Sequence, residues 1–335
     1  MSLSAVILAA GKSTRMKSAL PKPLHEVCGK PMLGWLVDAC IQAGAERIVL
    51  VVGHAKEQVI AGIQADTPAE HRNKLAFVEQ TEQLGTGHAV KVAVPALPES
   101  GEVIVLAGDL PLVSGEALSK LVADHREAGA AMSLASAKVS NPFGYGRIVR
   151  GDDGEFLRIV EELDATDEQR AIDEVFPSVT CAGVGVLADA LGKLSNDNAK
   201  GEYYFTDLFE IIRNAGGRVM AVPTLGEDDV IAPNNRHQLA LANAAMQERL
   251  QHTLVETCDV SIVDPRTTWI EAGVTAGRDT AILPFSFVGE GATLGADCTI
   301  GPFARIEPGG IVKDGSIVSG NVNLPGGIPQ DGGLP

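Results

Sequence analysis

Between Leu8 and Leu24 the chain carries its densest run of groups suited to phosphate chemistry: Leu8-Ala9-Ala10-Gly11-Lys12-Ser13-Thr14-Arg15-Met16, then Leu20-Pro21-Lys22-Pro23-Leu24. A loop of small residues leaving an apolar strand lets backbone N–H groups approach an anion, and cations just beyond it neutralise phosphate charge. Lys12, Arg15, Lys17 and Lys22 lie between Gly11 and Lys22 with no acid among them, a basic island on a chain of formal charge −16. The spacing is not that of a G-x-x-x-x-G-K-[ST] phosphate loop. No G-x-G-x-x-G follows the first strand, which argues against a dinucleotide-binding oxidoreductase. On these residues alone the loop is either a phosphate binder or an ordinary tight turn. Asp109, after the apolar run Val103 to Ala107, is likewise either an oxygen ligand for a hard cation or a turn residue, and Gln80 is either a base-reading amide or a surface side chain.

The elements that must position these groups follow from alternating apolar runs and amphipathic stretches. We read strands at Ala5–Ala10, Arg47–Val52, Leu75–Val78 and Val103–Ala107, and helices at Met32–Ala43, Lys56–Ala65 and His88–Val94. That alternation predicts an α/β domain with a largely parallel sheet. Ligands of open α/β sheets bind beyond the carboxyl ends of the strands, where Gly11 and Asp109 both fall.

A linking helix is predicted from Arg236 to about Thr253, and beyond it the pattern changes. Val288, Leu294, Ile300, Ile306, Val312 and Val318 recur every sixth position, with Ile282 and Ile270 in phase before them, and Gly289, Gly295 and Gly301 each follow an aliphatic residue. Hexapeptide periodicity of this kind predicts a parallel β-helix with the aliphatics inward and the coils stacked. It is a short one of roughly three coils, near the minimum for a stable stack. The Gly/Pro-rich end from Val322 to Pro335 reads as disordered or loosely draped.

Composition bounds the function. A chain of 335 residues favours two domains. Although 45% of residues are hydrophobic, the apolar runs are too short to cross a bilayer. Net negative charge disfavours nucleic acid and anionic membranes as partners, since both demand basic surfaces. Five cysteines without a C-x-x-C pair suit a reducing cytoplasm. The start of the chain faintly resembles a signal-peptide core but lacks a basic leader. Seven histidines show no zinc-ligand clustering.

The run L-A-A-G-x-x-T-R-M with L-P-K-P-L resembles the signature of the nucleotidyltransferases that activate sugar 1-phosphates. Gln80-Thr-Glu-Gln-Leu-Gly85-Thr86-Gly-His-Ala, Gly144-Tyr-Gly146-Arg147, Ile159-Val-Glu161, Gly201-Glu-Tyr-Tyr-Phe-Thr206-Asp and Asn234-Asn235-Arg236 follow in order. Together they are similar to the uridylyltransferase half of the bacterial bifunctional N-acetylglucosamine-1-phosphate uridylyltransferase/glucosamine-1-phosphate acetyltransferase family, over roughly the first 250 residues. The resemblance implies a Rossmann-like mixed sheet, then a short left-handed parallel β-helix. It implies a nucleotidyltransferase domain over 1–235, a linking helix over 236–255, hexapeptide coils over 256–322 and a tail over 323–335. UTP and a sugar 1-phosphate would be the substrates, Mg²⁺ the cofactor and a homotrimer the assembly.

By the same resemblance, Leu8, Ala9, Ala10 and Gly11 hold the nucleoside, Gln80 bonds the uracil, and Gly85 and Thr86 line its pocket. Arg15 and Lys22 hold phosphates. Asp109 and Asn234 ligate the metal, and Asp109 counts with Arg15 and Lys22 as catalytic. Gly146, Glu161, Cys181 and Thr206 fall on the acceptor-sugar side. Three positions depart from the family pattern: Ala107 precedes Gly108-Asp109 where a tyrosine is common, Cys181-Ala182-Gly183 aligns with Asn-Thr-Gly, and Ser13 replaces a common glycine. The first two remove polar contacts to the acceptor and leave room for another hexose 1-phosphate. A non-catalytic sugar-nucleotide sensor or scaffold is the alternative of a different class. No later acetyl-CoA segment follows the early coils, so acetyltransferase activity is expected to be absent.

Overall fold

The computed structural model describes residues 2–11, 14–197, 201–320 and 323–324. Lys12 and Ser13 of the basic island, Val322, and the Gly/Pro-rich end from residue 325 lie outside them. The chain divides into two compact units, residues 1–25 with 31–238, and residues 26–30 with 239–335.

The first unit is built on a seven-stranded sheet. Its centre is β1 (Leu3–Leu8), flanked by β2 (Arg47–Val52) and then β3 (Leu75–Glu79) on one side and β4 (Glu102–Ala107) on the other, all parallel. Along these strands alternate residues enter two different cores. Ile7, Leu50 and Leu106 join one cluster, while Val6, Val51 and Val105 join the other. Burial on both faces explains why the strands read as unbroken apolar runs. Helix α1 (Met32–Gln42) supplies Leu33 and Leu36 to the first cluster, with Leu118 and Leu121 from α4 (Gly115–Glu127). Helix α3 (Thr86–Ala93) supplies Val90 to the second; α2 (Lys56–Asp66) precedes β3 in the chain.

The sheet is mixed. Beyond β4 lies β10 (Val179–Gly183), antiparallel to both β4 and its other neighbour β5 (Met132–Ala135), and β11 (Val219–Val222) closes the edge parallel to β5. Between β5 and β10 the chain makes a smaller antiparallel sheet from β6 (Ala137–Lys138), β7 (Gly146–Arg150), β8 (Phe156–Val160) and β9 (Glu174–Phe176), in the order β8-β7-β9-β6. It is pinned by a fork of Arg150 on the buried Glu174, with Nε and Nη2 donating at 2.7 and 2.6 Å, and by the Ser136 hydroxyl donating to the same carboxylate at 2.6 Å. The strand and helix expectations hold to within a few residues. The first strand ends two residues earlier than expected, at Leu8; Gly108 N–H donates to the Leu8 carbonyl and Ala9 N–H to the Val51 carbonyl, both at 2.9 Å, as the last ladder bonds before the chain enters the loop.

Helix α5 runs from Arg236 to Cys258, three to five residues past the expected end. In the second unit every coil advances by short two-residue strands. Ala281 pairs with Thr299 and Ile282 with Ile300, Trp269 with Phe287, and Thr293 with Ile311, all parallel. These are the stacked faces of the parallel β-helix expected from the hexads, left-handed as the family resemblance implies. Ile282, Val288, Leu294, Ile300, Ile306, Val312 and Val318 point inward and are buried. The glycines in the next slot have a steric reason, since a Cβ on Gly289 would stand 2.5 Å from the Pro308 nitrogen of the following coil. The first coil is irregular: Ser261 pairs with Ala281, twenty residues on, where the later coils step by eighteen.

Candidate active site

The loops at the carboxyl ends of β1, β3 and β4 enclose a cleft of about 1000 Å³ in the first unit. Its floor is the turn Leu8–Gly11. Gly108 lies against it, and a Cβ there would be 2.6 Å from the Leu8 carbonyl oxygen, so only glycine allows β4 to end beside the β1 loop and place Asp109 at the cleft. Gln83 Nε2 donates to the Ala10 carbonyl at 2.9 Å and ties the loop after β3 to the loop after β1.

Lys22 opens the short helical segment Lys22–Leu24, flanked in sequence by Pro21, which caps the segment, and Pro23 within it, and only 8% of the residue is exposed. Its Nζ donates to Asp109 Oδ2 at 2.5 Å and to Asn234 Oδ1 at 2.9 Å. Arg15 Nη2 donates to the same Asn234 oxygen at 2.9 Å. The orientation of Asn234 is unambiguous, because Nδ2 donates to the Ala232 carbonyl (3.1 Å) and leaves Oδ1 toward the cations. Its position just before α5 is fixed by two bonds: its own N–H donates to Gln238 Oε1 (2.8 Å), and Asn235 Oδ1 accepts from Gln238 N–H (2.9 Å), as a helix N-cap does. Oxygens from Asp109 and Asn234 thus converge on one positive charge. That donor set suits a hard divalent cation, which takes few protein oxygens and fills its shell with water and phosphate.

On the opposite wall the loop 80–87 is woven into the segment 203–205. Tyr203 N–H donates to the Leu84 carbonyl and Gly87 N–H to the Tyr203 carbonyl, both at 2.8 Å, and Phe205 N–H donates to Thr86 Oγ1 at 3.2 Å. Gly85 takes φ +102°, and a Cβ there would lie 2.6 Å from the Tyr203 oxygen. Gln80 is buried beside it and lines the cleft, as Thr206 does.

The third wall is acidic. Glu161, Glu162 and Asp164 line it. Glu162 accepts from Gly144 N–H (3.0 Å) and from the buried Arg147 Nη2 (2.7 Å), and these donors hold its carboxyl below the usual range. Tyr145, between them in sequence, donates its hydroxyl to the Val230 carbonyl at 2.7 Å; burial and the nearby Asp109 carboxylate push its phenol upward. Phosphate-seeking cations on one wall and hydroxyl-seeking carboxylates on another are the groups a phosphorylated sugar requires.

Two acceptor-side expectations fall elsewhere. Gly146 is buried at the start of β7, with Glu161 Oε2 3.7 Å from where its Cβ would be, so it backs Glu161 and is absent from the cleft lining. Cys181 lies in the middle of β10, opposite Ile104, in the core cluster shared with α1 and α4, and burial pushes its thiol far up. The reason is strand direction. β10 is antiparallel to β4, so its first residues, not its middle, reach the carboxyl end of β4. Ser178, at φ +65°, stands there, its carbonyl accepting from Ala107 N–H at 3.1 Å, and it lines the cleft. Ser178, Gln83 and Glu162 escaped the sequence reading. The pairing of β10 with β4 was the signal needed for Ser178, and no local pattern marks it.

A family model described as the MobA-like NTP transferase domain matches residues 5–176, slightly more than half of the chain. The chain belongs to this family. Among curated relatives it is 45% identical over 302 residues to the bifunctional protein GlmU of Geobacter metallireducens, covering 87% of this chain and 61% of the relative. The bifunctional protein GlmU of Caldanaerobacter subterraneus subsp. tengcongensis is 42% identical over 88% of this chain and 62% of its own, and that of Streptomyces avermitilis 43% over 87% and 61%. The chain therefore spans about three fifths of the length of these relatives. A solved UDP-glucose pyrophosphorylase complexed with UDP-glucose matches 74% of this chain and all of its own at a TM-score of 0.61 and 18% identity, a likeness of fold. The matched region contains Leu8–Gly11, Arg15, Lys22, Gln80, Asp109 and Glu161; Asn234 lies beyond it.

Proposed function

We propose that this member of the nucleotidyltransferase family transfers UMP from UTP to N-acetylglucosamine 1-phosphate, giving UDP-N-acetylglucosamine and pyrophosphate. The observation that carries the reading is the convergence of Asp109 Oδ2 and Asn234 Oδ1 on one cationic point beside Arg15. A phosphate oxygen of the sugar phosphate attacks the α-phosphorus of UTP, the bond to the β-phosphate oxygen breaks, and pyrophosphate carries the electron pair away. The attacking phosphate is already ionised near pH ~7, so no general base is required. Asp109 and Asn234 would hold Mg²⁺, which when bound supplies charge stabilisation at the reacting phosphates. Arg15 and Lys22 orient and neutralise the triphosphate, and Gly85 and Thr86 wall the base. Glu161 and Ser178 face the acceptor.

A second reading keeps the chemistry and changes the acceptor to another hexose 1-phosphate; Ala107 beside Asp109 and the small Ser178 favour it. A cytoplasmic location and self-assembly through the β-helix into a homotrimer belong to the same proposal. They are supported by five unpaired cysteines and by exposed apolar side chains on the coils such as Phe285, Ile311 and Ile317. A monomer in light scattering would remove the assembly part.

Pyrophosphate release from UTP with a panel of sugar 1-phosphates, with and without Mg²⁺, tests the whole. Release greatest with N-acetylglucosamine 1-phosphate upholds the main reading, and release greatest with another sugar upholds the second. UTP binding with no release from any acceptor would move the protein to the sensor class.

A further inference from the structure

Gln80 follows β3, with its backbone N–H bonded to the Val52 carbonyl at 2.8 Å and only 6% of the residue exposed. Its side-chain nitrogen has two neighbours, the Gly85 carbonyl at 3.1 Å and His88 Nδ1 at 3.2 Å. The carbonyl can only accept, so the amide must turn its NH₂ that way. The second amide hydrogen then falls on His88 Nδ1, which must be the bare ring nitrogen, with the ring proton on Nε2. His88 is carried on the first turns of α3, and its ring lies 6.3 Å from that of Tyr203 at an interplanar angle of 30°. Gln80 Oε1 has no partner among the described residues and is not among the buried orphan atoms, so it keeps solvent contact in a residue that lines the cleft.

We propose that His88 is a positioning residue for pyrimidine selection: by accepting from Gln80 it locks the amide so that the cleft meets an oxygen, not an NH₂. This rests on the reading of the cleft as a uridylyl-transfer site. An amide oxygen complements the N3–H donor of uracil. Cytosine presents a bare N3 there, and two acceptors facing each other leave both unpaired in a desolvated site. Flipping the amide to suit cytosine would set Oε1 against the Gly85 carbonyl and forfeit both donations. With His88 replaced by an apolar side chain, one of the two bonds opposing that flip is gone, and the second amide hydrogen is left without a partner.

The test compares UTP with CTP in Mg²⁺-dependent pyrophosphate release for the full chain and two variants. His88→Leu is expected to raise KM for UTP more than it lowers kcat and to cut the UTP-to-CTP ratio of kcat/KM by about tenfold, the worth of one hydrogen bond in a closed site. His88→Asn, whose Oδ1 takes the place of Nδ1, is expected to recover most of that ratio. An unchanged ratio in His88→Leu overturns the proposal, and so does His88→Asn behaving as His88→Leu, which would mean that the ring only fills space. Absence of UTP-dependent release, or no UTP preference, in the unaltered chain would overturn the underlying reading of the cleft and this proposal with it.

Discussion

At Asp109 two demands meet, a carboxylate for a divalent cation and a counter-ion for the buried Lys22 ammonium 2.5 Å away. Asp109→Asn keeps the shape and removes the charge. Turnover is expected to fall about 10²–10³-fold, the scale of one lost transition-state contact, and urea denaturation to show a loss of about 1–3 kcal/mol from the stranded ammonium. Gly85→Ala puts a methyl against the Tyr203 carbonyl at a φ that L-residues resist. A stability loss of about 1–3 kcal/mol is expected, with KM for the nucleotide rising because the wall beside Gln80 shifts. Unchanged nucleotide KM in Gly85→Ala would contradict the placement of the base on that wall. At this scale the phosphate-side residues were legible because their types and order are local: Arg15, Lys22 and Asp109 each follow a strand or sit in a proline-braced turn. Cys181 was misplaced because identity along a strand says nothing of which end reaches the cleft. That depends on the antiparallel pairing of its strand, and Ser178 takes the position instead.

Hexads are readable at the scale of the element because an inward aliphatic every sixth residue leaves a trace no other fold requires, and the following glycines record the closeness of the next coil. The small antiparallel sheet, by contrast, left no pattern: its strands run two to five residues, and its anchor is the Arg150–Glu174 fork between residues 24 positions apart. Two substitutions separate burial from stacking in the β-helix. Ile300→Ala, at a fully buried position, is expected to cost about 2–5 kcal/mol through lost contacts and a cavity. Gly289→Ala deletes nothing, yet its methyl would press on the Pro308 nitrogen, and a loss of about 1–3 kcal/mol is expected from overpacking. Both are read from chemical denaturation followed at Trp269, whose strand pairs with Phe287–Val288 in the stacked coils. A neutral Gly289→Ala would show that the coils stand farther apart than the fold requires.

For the whole molecule, net charge and local charge diverge: a chain of charge −16 concentrates Arg15 and Lys22 at one cleft, where Asn234 joins them from 219 residues beyond Arg15. Such long-range convergence is visible only once the sheet is closed. The pH response is also a property of the closed fold. Burial lowers His125, whose Nδ1 lies 2.9 Å from Ser133 Oγ, with Arg126 adding to the effect against Glu102; burial and then Arg236 lower His25. Both titrate in the unfolded chain near 6.5. The unfolded state therefore binds protons first as pH falls, and stability is lost from about that pH downward, each proton steepening the fall by up to ~1.4 kcal/mol per pH unit. Glu174 acts lower. Burial pushes its carboxyl up, but Arg150 and Ser136 outweigh burial and hold it below its usual value of 4.5, so its contribution is present above that pH and disappears as pH falls through the folded value. Urea midpoints are expected to be level from about pH 8 to 7, to decline below about 6.5 and to drop more steeply below about 4.5. His125→Asn should flatten part of the upper decline and leave the lower one, whereas a level midpoint down to about pH 5 would mean that the buried imidazoles are not held neutral by the fold.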